Sequence, residues 1–172
     1  MGDLLTSWTT LLAAVAVGLV VGTFVLPRMP AANCLSDSEL GAVTRSVYTK
    51  SLGPVMRTCS RHYPELEERA LDAAADFFVT YRGDMRRNRA QTNEIFRRVF
   101  QEEWRSNLEA LLNEATNPIL GRAGLLTEEQ CRAEIGRVEG MVDQFDYEAV
   151  MSTGAARKMF ELERQHIPAC EN

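Results

Sequence analysis

Two regimes of apolar and polar positions divide the chain. Residues 11–26 read Leu-Leu-Ala-Ala-Val-Ala-Val-Gly-Leu-Val-Val-Gly-Thr-Phe-Val-Leu, and no charge occurs between Asp3 and Arg28. That gap is long enough for a helix to cross a hydrocarbon core of about 30 Å. A helix buried in a soluble protein normally keeps a polar side, which this run lacks. After Arg28 the apolar residues recur at threes and fours, with polar residues between them. The pattern predicts an all-α protein: a single N-terminal transmembrane helix followed by an irregular bundle of about five amphipathic helices. The expected divisions are an anchor at 1–27, a linker at 28–35 and a helical domain at 36–172.

Within the domain, Ser36-Asp37-Ser38-Glu39 has the form of a capping box, a hydroxyl three residues ahead of a carboxylate. Leu40, Val43 and Val47 continue it, so a helix is expected over about 37–51, ended or kinked by Gly53-Pro54. Residues 55–62 read as a short turn-rich piece. Pro64 can open the next helix, because its missing N–H costs nothing there, and Leu66, Ala70, Ala73, Phe77 and Tyr81 form its apolar stripe. Arg82-Gly83-Asp84 marks a break. A long helix is then expected over about 85–115, stopped by Asn117-Pro118, with a connector at 119–126. Thr127-Glu128-Glu129-Gln130 is a second capping box, followed by Cys131, Ile135, Val138, Val142 and Phe145. Asp146 is expected to cap the last helix, with Ala149, Val150, Ala156, Met159, Phe160 and Ile167 facing inward.

The apolar run is read as an uncleaved anchor. A cleavable signal needs a positive leading region and a small-x-small cleavage site; residues 1–10 hold Asp3 and no Lys or Arg, and Pro30-Ala31-Ala32-Asn33 is a poor site. Asn33 likewise stands where a lipoprotein box before Cys34 wants a small residue. Trp8 fits an interfacial position. Ala14, Gly18 and Gly22, four apart, share one helix face, and small residues there let a second membrane helix approach closely.

Orientation turns on little charge. Arg28, Arg45 and Lys50 lean towards a cytoplasmic domain by the positive-inside rule. Cys34, Cys59, Cys131 and Cys170 lean the other way, since an even set outside the anchor suits two disulfides in an exported, periplasmic domain, with three pairings open. The cysteines carry the expectation, and the cytoplasmic orientation stays open beside it.

Composition narrows the function classes. Beyond the anchor the chain is rich in Ala, Leu, Glu and Arg, which favours helix. A net charge of −5 argues against a dedicated nucleic-acid binder. Nucleophile-elbow, phosphate-loop and His-Glu-x-x-His motifs do not occur, and neither does Cys-x-x-Cys. Asp143, Asp146 and Glu148 lack the spacing and glycine of a calcium loop.

Two constellations bear on chemistry. Cys59-x-x-His62 and His166-x-x-x-Cys170 would together supply two thiolates and two imidazoles, a donor set that suits zinc; the competing use of the same cysteines is in disulfides, with no cofactor. Arg82, Arg86, Arg87 and Arg89, extended by Arg97, Arg98 and Arg105, place cations at a helix start, against the macrodipole. Anionic lipid or an acidic protein surface would offset that, whereas a solvated face paired with Glu94, Glu102 and Glu103 is the plain alternative. The expected function is therefore non-enzymatic: a membrane-anchored interaction domain, an accessory or assembly subunit of a membrane or cell-envelope complex. A ligand- or zinc-binding domain is the alternative, and an enzyme of unrecognised type the third.

Overall fold

The computed structural model describes residues 34–144, 146–151, 157, 161, 164 and 170. The expected anchor with Ala14, Gly18 and Gly22, and also His166, Phe145, Ala156, Met159, Phe160 and Ile167, lie outside the described residues. Among those described, no helix is long and apolar enough to cross a membrane.

The domain is an all-α bundle: α1 (Asp37–His62), α2 (Glu67–Thr80), α3 (Arg82–Phe100), α4 (Trp104–Ala123), α5 (Glu128–Gln144) and the short α6 (Tyr147–Met151). Both capping boxes form. Ser36 Oγ accepts from the Glu39 amide at 3.3 Å while the Glu39 carboxylate accepts from the Ser36 amide at 2.9 Å. Thr127 and Gln130 make the same reciprocal pair at 3.3 and 2.9 Å. Asp146 caps α6 through the Ala149 amide at 2.7 Å.

Three kinds of expected boundary are corrected. α1 does not stop at Gly53-Pro54 but runs through it to His62. Proline inside a helix costs about 3 kcal/mol, but Leu52, Val55, Met56 and Cys59 beyond or beside it are all core residues, and their burial outweighs that cost. Glycine before the proline also removes the Cβ that would crowd the ring. The same holds for α4, which continues through Pro118 so that Ala123 is buried.

The second correction concerns the long helix expected over 85–115. The chain turns at Gln101, whose φ of 49° lies in the left-handed region, and Gln101–Glu103 forms a 3-10 turn. An unbroken helix of that length would run about 46 Å and leave one end without partners. Folding back lets α3 and α4 pack on each other and both on α1. The third is the break at Arg82-Gly83-Asp84: it falls on Tyr81 alone, and those three residues form the first turn of α3.

α1 is the central helix and divides the core in two. Its C-terminal half packs Tyr48, Leu52 and Met56 against Leu66, Ala70 and Phe77 of the α2 region and Ile135 and Val138 of α5. Its N-terminal half packs Leu40, Val43 and Val47 with Leu35 against Ile95, Phe96 and Val99 of α3 and Leu111 and Ala115 of α4. Between α1 and α3 runs a buried polar seam. Asn88 Nδ2 donates to the Ala42 carbonyl (3.0 Å) and to Ser46 Oγ (2.9 Å), and Asn88 Oδ1 accepts from Arg45 Nε (2.7 Å). Thr92 Oγ1 completes it at 2.9 Å from Ser46 Oγ.

Candidate interaction surfaces

The four cysteines form two disulfides. Cys59 of α1 bonds Cys131 of α5, with Cα atoms 5.7 Å apart, and both are essentially without solvent exposure. Cys34 bonds Cys170 with Cα atoms 4.8 Å apart, both half-buried. The second bond ties the residue ahead of α1 to the C-terminal region. Arg164 reinforces that tie by donating to the Leu35 carbonyl (2.9 Å) and pairing with Asp37 (2.7 Å).

This pairing removes the zinc alternative and bears out the use of the same cysteines in disulfides. Cys59 and Cys170 sit in different disulfides, and a disulfide sulfur has no thiolate to offer a metal. His62 is exposed at the end of α1, packed edge-on to Tyr63. Among the described residues no group of three or more His, Cys, Asp or Glu is arranged to hold a metal ion.

The arginine cluster lies on α3. At 3.6 residues per turn, Arg82, Arg86, Arg89, Asn93 and Arg97 fall within about 80° of the helix circumference, a row roughly 22 Å long. Arg82, Arg86 and Arg89 are exposed and have no ion-pair partner among the described residues. Arg87 belongs elsewhere, since it pairs with Asp84 within the first turn. At the other end of the row Arg97 pairs with Glu94 and also lies over the Trp104 ring at 4.6 Å, with Arg105 over the same ring at 4.9 Å. Arg98 is drawn off to Glu39 of α1 at 2.6 Å.

A contrasting surface, not singled out in the sequence, lies between α2 and α5. Glu68, Asp72, Asp76, Glu139 and Asp143, with Arg69, Ala73 and Val142, line a groove of about 370 Å³. Arg69 meets Glu139 in a two-pronged pair at 2.7 and 2.5 Å, and that hydrogen bond holds the Glu139 carboxyl below its ordinary range. The other four carboxylates have no ion-pair partner among the described residues. Beside them on α2, Leu71 and Val79 are exposed at 40% and 74%. The spacing 68, 72, 76 was a readable signal for one carboxylate row; its meeting with Glu139 and Asp143 is a tertiary fact.

Arg137 of α5 supplies the remaining notable charge. Its guanidinium donates to Tyr48 Oη at 3.0 Å, stacks over the Tyr48 ring at 5.6 Å and pairs with Glu134. Burial alone would lower its pKa, but the Glu134 hydrogen bond and the neighbouring Tyr48 oxygen raise it on balance. Burial pushes the Tyr48 hydroxyl up, and Arg137 only partly opposes that. Both groups thus keep their neutral-pH charge states and act as a fixed brace between α1 and α5. No known protein family matches this chain, and no curated protein or solved structure does either.

Proposed function

We propose that this chain is a membrane-anchored interaction domain on the extracytoplasmic side, periplasmic in a cell with two membranes, working as an accessory or assembly subunit of an envelope complex. The observation that carries the proposal is the use of every cysteine in a disulfide, which favours an oxidising compartment. The uncharged run at 11–26 supplies the anchor, and Ala14, Gly18 and Gly22 supply a face for packing against another membrane helix. Only residues 27–33 separate that run from Cys34, so the tether spans at most about 25 Å. A domain held that close to the bilayer and braced by crosslinks suits a rigid docking body.

Thiol labelling tests the compartment. Intact cells and lysates are treated with a maleimide before and after reduction, under conditions that unfold the chain. The expected result is no labelling before reduction and four labelled cysteines after it. Labelling of all four thiols without reduction, in material trapped directly from cells, would place the domain in a reducing compartment and overturn the proposal. Separately, Gly18→Leu and Gly22→Leu are expected to reduce the size of the native complex while both disulfides still form.

A further inference from the structure

Resting on the interaction-domain reading and naming its partner, we infer that the arginine row of α3 docks on the acidic α2–α5 groove of a second copy of this chain. The row offers Arg82, Arg86 and Arg89 as exposed cations without ion pairs among the described residues, at steps of four and three residues, about 6 and 4.5 Å along the helix. The groove offers Glu68, Asp72 and Asp76 at steps of four on α2, with Asp143 across from them on α5. The two rows are close in length, about 10.5 and 12 Å over three residues, and opposite in sign. Leu71, Ala75 and Val79, also four apart on α2 and all exposed, border the carboxylates and give the contact apolar surface to cover.

The cations are also misplaced for an isolated helix. Arg82 and Arg86 stand in the first turns of α3, where the macrodipole is positive. An acidic surface laid along the row would relieve that. Within one copy, among the described residues, none of these arginines pairs with a groove carboxylate. One copy can therefore donate its row to one neighbour and receive a row from another. Two copies that exchange both contacts close a two-fold pair, and contacts passed on to further copies build chains or rings.

Placement argues against anionic lipid as the occupant. α1 and α3 run antiparallel, with Glu39 beside Arg98 and Arg45 beside Asn88. The chain thus enters the domain at the C-terminal end of α3, and Arg82 lies about 24 Å of helix rise farther away. The end nearest the tether sets Glu94, Glu102 and Glu103 against Arg97, Arg98 and Arg105, so it offers an anionic head-group layer no net positive charge.

The test uses two differently tagged copies of the full chain, disulfides intact, in neutral detergent. Every arm carries Gly18→Leu and Gly22→Leu, so that anchor packing contributes nothing. Row variant R86E/R89E and groove variant D72K/D76K are each expected to lose co-purification with themselves by at least tenfold. Mixing the two variants is expected to restore it, because the exchanged charges are again complementary. Raising the salt to about 1 M, where the screening length is about 3 Å, should release the wild-type copies. Disulfide content, read by mass, confirms that each variant has folded. Wild-type self-association by either variant, failure of the folded pair to restore it, or association that requires added anionic phospholipid would each overturn the inference. Because the assay is run on oxidised, purified chain, its failure is distinct from a failure of the compartment proposal.

Discussion

Replacing Cys59 and Cys131 together by Ala removes the crosslink between α1 and α5 without placing a hydroxyl in the core, which Ser would do. The bond closes a loop of 72 residues. Opening a loop of that length returns chain entropy to the unfolded state worth about 4 kcal/mol. Both sulfurs are buried, at 0% and 1% exposure, so their loss also leaves a gap costing on the order of 1 kcal/mol. The sum is about 5 kcal/mol. For a domain of this size each kcal/mol moves the melting midpoint by roughly 3–4 °C, so a fall of about 15–20 °C is expected. The assay is urea unfolding of full chain in mild detergent under non-reducing conditions, followed by far-UV circular dichroism. If the gain acts through the unfolded state, the variant's m-value should rise, since its unfolded chain is more expanded. A loss under about 1 kcal/mol would refute the reasoning. So would a large loss with an unchanged m-value, which would put the effect in native packing instead.

Two further substitutions probe the α1–α3 half. Asn88→Ala leaves Arg45 Nε and Ser46 without their buried partner and should lower stability by about 2–3 kcal/mol, measured by the same unfolding assay; a change below about 0.5 kcal/mol would show that the seam is not holding the helices. Glu39→Gln keeps the capping hydrogen bond and removes only the charge. Burial would raise the Glu39 carboxyl, but the Ser36 amide and Arg98 outweigh it and hold the folded value below 4.5. The charge therefore stabilises the fold fully above the ordinary carboxylate value, and that contribution is lost as the pH falls through the lowered folded value. The gap in melting midpoint between wild type and Glu39→Gln should be full at neutral pH and close in acid, and a gap that widened on acidification would reverse the argument.

Local chemistry was legible from residues a few positions apart. Both capping boxes, the Asp146 cap and the apolar stripes of α2 and α5 are short-range patterns, and each appears where the chain places it. The helical class follows from the same periodicity, because one buried stripe per helix leaves only a bundle as a way to cover it. Gly53-Pro54 and Asn117-Pro118 are also short-range signals, and as helix ends they failed. The energy of burying Met56, Cys59 or Ala123 depends on neighbours far along the chain, and no local pattern records it. The turn at Gln101 is the reverse case, since the stripe of α3 runs on towards α4 with no breaker and only the need to close both helices on α1 bends the chain.

The charged surfaces divide in the same way. Arginine spacing could be counted from the sequence, but counting grouped Arg87 with Arg82, Arg86 and Arg89, and the fold separates it by giving it Asp84. The number of cysteines implied crosslinks, whereas the choice of Cys34–Cys170 and Cys59–Cys131 among three pairings required the helices to be in place. By itself the sequence determined the helical class, the caps, the uncharged run at 11–26 and the available charges. Which residues bridge helices, and which are left facing outward, was decided by the tertiary structure, because burial and pairing are properties of segments brought together across the chain.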